Sequence, residues 1–328
     1  MYTDEDLNAA IQKGVFSQQS VDDFRQLMSS SRHESLVDEE NFRLISGFND
    51  IFVVIACALL LFSSVWVLNS VSPIISYGVF IGLSWGLSEI FVRQRNMALP
   101  AIFLLLAFVG GVFVFCQHLF VENTADIVGT ACALLAAYAH WRRFRVPMTI
   151  AVATASGLLL GASVLLAILP DKLQVLMMIC FVSGVLCFVF AMYWDAQDRQ
   201  RISRKSDVAF WLHLLSAPLI IHPVFNGLGV LSGEDGVGNM MLIVILYLLM
   251  TLISITVDRR AFMVSSLLYV IYALQVLFGS FGSIETNIAF TGVVMGATLL
   301  LLSFYWQASR HFIVSRLPSR IQAYLPTI

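Results

Sequence analysis

Ten apolar runs, each long enough to cross a lipid bilayer, fill almost the whole chain between residues 48 and 305. They fall near 48–68, 73–92, 98–120, 124–140, 146–168, 173–194, 208–230, 237–257, 261–279 and 286–305. A helix rises about 1.5 Å per residue, so roughly 20 apolar residues span the hydrocarbon. Inside lipid every backbone N–H and C=O must be satisfied within the segment, which makes runs of this length helical. The expected fold class is an all-α polytopic membrane protein with about ten transmembrane helices. Composition agrees, with 59% hydrophobic and only 12% charged residues, against about 25% charged in a soluble domain. The net charge of −2 supplies no basic field, so membrane lipids are expected as partners and nucleic acid is not.

The placement of charge says more than its sum. One set of connectors holds "RQRN" (93–96), "WRRFR" (141–145), "DAQDRQRISRKSD" (195–207) and "DRR" (258–260). Of the 19 lysines and arginines, only Lys172 lies in the opposite set, alongside Glu122, Asp171, Glu234, Asp235 and Glu285. Basic residues in short connectors mark the cytosolic side. Alternate connectors are basic and the span count is even, so both termini are expected in the cytosol.

Residues 1–47 form a polar, acidic preface, too long and too acidic for the front of a secretory signal. "TDEDLNAAIQK" opens with Thr3 as a cap and three acids in the first turn, where the helix dipole favours them. Gly14 stops that helix, and Ser17 caps a second, "QQSVDDFRQLM", with Val21, Phe24 and Met28 on one face. The expectation is a small cytosolic αα-hairpin, a ten-helix membrane domain at 48–305, and a cytosolic tail at 306–328. Ile313, Leu317, Ile321 and Leu325 recur every four residues in that tail beside Arg316 and Arg320. This is the pattern of an amphipathic helix lying on the inner membrane surface. The five cysteines, Cys57, Cys116, Cys132, Cys180 and Cys187, all sit in apolar runs and read as small buried hydrophobes.

The seventh run carries the least ordinary stretch, "WLHLLSAPLIIHPVFNGLG" (211–229). His213 and His222 are nine residues apart and face opposite ways on a straight helix. Pro218 and Pro223 each remove a backbone donor and are expected to break the helix. His222 and Asn226 share a face. One reading is a discontinuous helix lining a polar cavity; the other is a kinked helix whose histidines bond to neighbouring carbonyls or hydroxyls. The ninth run adds a polar stripe of Ser265, Tyr269, Tyr272 and Gln275, which must face inward. His222, Asn226, Tyr269, Tyr272 and Gln275 are therefore the candidate solute-binding residues, with interhelical hydrogen bonding as the plainer role.

Glu89 and His213 are the candidate intramembrane ionisable residues, and Arg93 stands at ion-pair spacing from Glu89. Glycines at four-residue spacing mark three expected packing stripes: Gly78, Gly82 and Gly86; Gly157 and Gly161, following Ala153; and Gly292 with Gly296. No HExxH, GxGD or glycine-rich phosphate loop occurs. No catalytic residue, metal ligand or cofactor is assigned.

The stretches "FRLISGFNDIFVVIA", "RQRNMALPAIFLLLAFVGG", "SDVAFWLHLLSAPLIIHPVF" and "YWQASRHFIVSRLP" resemble proteobacterial multi-span integral membrane proteins of the domain-of-unknown-function type. "IQKGVFSQQSVDDF" is similar to the helix–Gly–helix preface of such a group. The resemblance implies a bacterial inner membrane and a ten-helix bundle, and it carries no catalytic residues with it. Ten spans with both ends inside is also the layout of drug/metabolite transporters, a likeness of topology alone. Two functions stand against each other: a small solute bound or moved between the seventh and ninth spans, or a scaffold that meets a cytosolic protein partner through residues 1–47.

Overall fold

The structure is a computed structural model and describes residues 4–32, 48–169, 172–201, 203–228, 237–278 and 284–327. It is helical throughout, with no strand among the described residues. Helices α1 (Asp4–Gln12) and α2 (Gln18–Arg32) form where the N-terminal pair is expected. Gly14 turns the chain at φ +70°, a conformation that costs a glycine nothing. Ser17 caps α2 by accepting from the Ser20 N–H at 3.1 Å. The expected cap at Thr3 lies outside the described residues.

The long helices come in order: α3 (Phe48–Asn69), α4 (Pro73–Ser88) running into a π-helical turn (Glu89–Gln94), α5 (Ala98–Leu119), α6 (Glu122–Phe144) and α7 (Met148–Ile168). The second half holds α8 (Lys172–Gln197), α9 (Arg204–Gly227), α10 (Val237–Val257), α11 (Ala261–Phe278) and α12 (Ile284–Phe304). Two short helices close the chain, α13 (Trp306–Val314) and α14 (Ser319–Gln322). Eight helices are long and apolar enough to cross a membrane, and α12 joins them as a ninth if counted together with α13, from which it is bent by 67°. The expected fourth span forms as α6 but is less apolar than a span needs to be, because Asp126, Thr130, His140, Arg142 and Arg143 lie along it. It nevertheless packs against both α5 and α7.

Short connectors make sequence neighbours into spatial neighbours, and α3 to α7 pack in that order. Cys57, Leu61, Phe80 and Leu104 fill the contact of α3, α4 and α5. Leu105, Val109, Ala133 and Ala137 fill that of α5 and α6. In the second half α9 packs between α8 and α11, while α10 lies against α11 and α13. A cluster of Ala151, Cys187, Ala191, Val208 and Leu212 joins the halves through α7, α8 and α9.

The glycine stripes do not make these contacts. A Cβ added at Gly82, Gly86, Gly157, Gly161, Gly292 or Gly296 would meet nothing within 4 Å, and at Gly78 only the Phe115 ring at 3.9 Å. On α4 the inward stripe is instead Ser76, Phe80, Ser84 and Ser88. Ser84 and Ser88 return their hydroxyls to the carbonyls of Phe80 and Ser84, at 2.7 and 2.8 Å. The close approach falls at Gly184 of α8, where a Cβ would lie 2.9 Å from the backbone nitrogen of Ile220 on α9.

The tail also departs from expectation. The buried face of α13 is Trp306, Arg310 and Val314; of the Ile313–Leu317–Ile321–Leu325 stripe only Leu325 is buried, and Ile321 is exposed. After α14 the chain returns to the α8–α9 connector. Arg199 donates to the carbonyls of Leu325 and Gln322 at 2.8 and 3.1 Å, and the Thr327 N–H donates to the Arg199 carbonyl at 3.1 Å. Carbonyls caught by a guanidinium hold the tail against the protein.

Candidate functional site

Helix α9 carries most of the polar chemistry, and it is continuous from Arg204 through both prolines to Gly227. The expected helix break at Pro218 and Pro223 does not occur. Each proline removes one i→i−4 bond, but the turns on either side keep theirs, and Gly184 lets α8 support the stretch just beyond Pro218.

Two of the five candidate solute contacts meet directly. His222 Nδ1 lies 2.6 Å from the Tyr269 hydroxyl, joining α9 to α11. The Tyr269 ring stacks on Phe225, with centroids 4.6 Å apart and planes 10° from parallel. Asn226, Tyr272 and Gln275 stay partly exposed, and no hydrogen bond among the described residues joins Asn226 or Gln275 to the pair. Ile221, Phe225 and Ala273 are fully buried beside it.

The stronger constellation lies one end of the bundle away, where the basic connectors of the second half converge. Asp195, near the end of α8, is fully buried. One of its oxygens accepts from Arg259 at 2.7 Å and the other faces His213 Nε2 at 2.8 Å. Arg259 also donates to the Ser206 carbonyl and hydroxyl, both at 3.1 Å. The rings of Phe188 and Phe262 close the remaining sides of His213. Beside this triad, Asp258 accepts from Arg201 at 2.8 Å and from the Trp306 indole N–H at 2.8 Å, and Arg310 stands 3.6 Å away. Arg201 donates further to the Asp258 carbonyl at 3.0 Å. Arg310 reaches the tail, donating to the carbonyls of Pro326 and Thr327 at 2.8 and 3.1 Å.

Two features raise the cost of this cluster. Arg201 and Asp258 both have left-handed backbones, at φ 54° and 61°, and non-glycine residues persist there only when their surroundings hold them. Burial first, and then the charge of Arg259, pull the Arg201 guanidinium down to about 10 against the carboxylates of Asp258 and Asp195. It remains charged at neutral pH, and its pair with Asp258 is almost wholly buried. Two shallow openings of about 370 and 300 Å³ flank the docked tail, both bordered by Arg199 and Thr327. No group of three His, Cys, Asp or Glu converges as a metal site would require among the described residues.

Glu89 forms the expected ion pair with Arg93 at 3.3 Å, but its stronger partner is Arg143, 54 residues away, at 2.6 and 2.9 Å to the two oxygens. A two-point guanidinium–carboxylate contact of this kind ties the connectors at 93–96 and 141–145 together.

Asp195, Arg201, Asp258, Arg259, Trp306 and Arg310 were invisible as a site in the sequence because lysines and arginines beside spans ordinarily report orientation only. The signal that could have found them was the presence of Asp195 and Asp258, acids at span ends beside the arginines of their connectors. Comparison with protein-family models, with curated proteins and with solved structures gives no match to this chain.

Proposed function

We propose that this integral membrane protein binds and moves a small solute along the α9–α11 contact, and that the ion-pair cluster shuts the basic end of that path. The observation that carries the reading is that the two helices joined by the His222–Tyr269 contact both start beside the ion-pair cluster. Both α9 and α11 begin at the cluster. His222 lies nine residues beyond His213, and Tyr269 ten beyond Arg259, about 14–15 Å along each helix. The His222–Tyr269 pair therefore lies about two to three turns along the helices from the closure, with His222 exposed.

The chemistry of the closure supports the same conclusion. A buried ion pair is no more stabilising than packed hydrophobic side chains of similar volume. The two differ once they are pulled apart, since exposed guanidinium and carboxylate groups are well hydrated whereas an opened apolar plug is not. An ionic closure therefore suits an end that must open. The basic connectors favour the cytosolic side for that end and for both termini, and the sequence resemblance supports a bacterial inner membrane. The scaffold reading rests on the exposed Val15, Phe16 and Phe24 of the α1–α2 pair, an apolar surface suited to a protein partner.

A thermal-shift screen of purified protein against a metabolite and ion panel tests the proposal. A panel member should raise the melting midpoint of wild type, and the rise should disappear in His222→Ala and shrink in Tyr269→Phe. A rise of equal size in all three removes the α9–α11 pair from the solute site. Retention of a co-purifying protein that is lost on deleting residues 1–40, with no stabilising solute, favours the scaffold.

A further inference from the structure

His213 is fully buried, and its hydrogen-bonding leaves a single open position. Arg259 occupies one oxygen of Asp195, so that carboxylate is ionised and offers only lone pairs to its other neighbour. The 2.8 Å contact from His213 Nε2 therefore requires a hydrogen on Nε2. The neutral ring is the Nε2–H tautomer, and Nδ1 is a bare lone pair. That nitrogen is buried and has no hydrogen-bond partner.

We infer that His213 is a proton-binding site, taking a proton on Nδ1 when the ion-pair cluster opens and holding the cluster open while charged. The inference deepens the transport reading by naming the coupled ion, and rests on that reading for its role. The step is proton transfer alone: a hydronium ion gives its proton to Nδ1, one N–H bond forms, and Nε2–H stays in place. The groups facing His213 decide the consequence. Asp195 faces it from α8 and Arg259 from the α10–α11 connector, with Arg201 of the α8–α9 connector farther off. Phe188 from α8 and Phe262 from α11 bring no charge. Ser206 and Ser216 on its own helix are neutral. In the cluster two carboxylates, Asp195 and Asp258, meet three guanidiniums, Arg201, Arg259 and Arg310. One positive charge is already in excess with the ring neutral, and protonation doubles it. Asp195 would then be shared between two cations, and its hold on Arg259 weakens.

Two measurements on the intact protein test this. In ¹⁵N NMR of histidine-labelled protein, His213 should show Nε2–H with a bare Nδ1 at about pH 8 and become imidazolium as the pH is lowered. Hydrogen exchange of segments 195–201 and 258–260, corrected for the intrinsic rate, should rise about tenfold over the same interval. His213→Gln retains an N–H for Asp195 but binds no proton, so its exchange should be flat; Arg259→Gln should exchange fast throughout. An Nδ1–H tautomer at about pH 8, exchange that rises while the ring stays neutral, or an undiminished pH response in His213→Gln overturns the inference. No solute enters either measurement, so its failure leaves the solute screen to stand or fall by itself.

Discussion

At the scale of single residues, Asp258 holds more of the cluster than any neighbour. Its side chain receives Arg201 and the Trp306 indole, its carbonyl receives Arg201 again, and its backbone is left-handed. Asp and Asn tolerate that conformation better than other residues with a Cβ. Asp258→Ala should therefore lower stability by about 3–5 kcal/mol, the cost of stranding buried cations, whereas Asp258→Asn keeps the backbone preference and one acceptor and should lose less. Thermal unfolding in detergent reads the order, and equal midpoints for the two variants would contradict it. Arg259 and Arg260 explain why the site was not legible in the sequence. They are adjacent and chemically identical, yet Arg259 is buried against Asp195 while Arg260 lies over the Trp306 ring, its guanidinium carbon 5.0 Å from the centroid. Charge spacing identifies the side of the membrane and contains nothing about depth. The His222–Tyr269 contact was legible only as the plainer reading, a histidine bonded to a neighbouring hydroxyl.

At the scale of helices, existence was legible and facing was not. The long helices, the turn at Gly14 and the Ser17 cap arise from run length and local chemistry. Which stripe of α4 turns inward does not, since in lipid the outward face is as apolar as the core and hydrophobicity stops distinguishing them. Its Gly78–Gly82–Gly86 and Ser76–Ser84–Ser88 stripes are both small, and packing selected the serines. Gly184 gave no warning because it belongs to no repeat; its demand comes from the α9 backbone beyond Pro218. Gly184→Val should force α8 and α9 apart, because the obstruction includes the Ile220 nitrogen and not only a movable side chain. Gly82→Val should leave the fold of the chain intact. Recovery of monodisperse protein by size-exclusion chromatography separates the two, and equal recovery would contradict the α8–α9 packing.

At the scale of the whole molecule, two helical halves meet through α7, α8 and α9, and one end of the second half is tied by charge. The tie joins segments far apart in sequence: the α8–α9 connector, the α10–α11 connector and the tail. Alternating basic connectors foretold that these segments share an end, and the Arg143–Glu89 contact joins two more of them in the first half. The tail's return to Arg199 was not foretold, because its partners are main-chain carbonyls that every sequence possesses. The most direct test of an ionic closure is the separation across it. Spin labels at Lys205 and Ala308, both exposed, in a background with the five native cysteines replaced by alanine, report it by electron–electron resonance. The account predicts one narrow distance in the otherwise native chain and a longer, broader distribution in Arg259→Gln. The same narrow distance in both would contradict it.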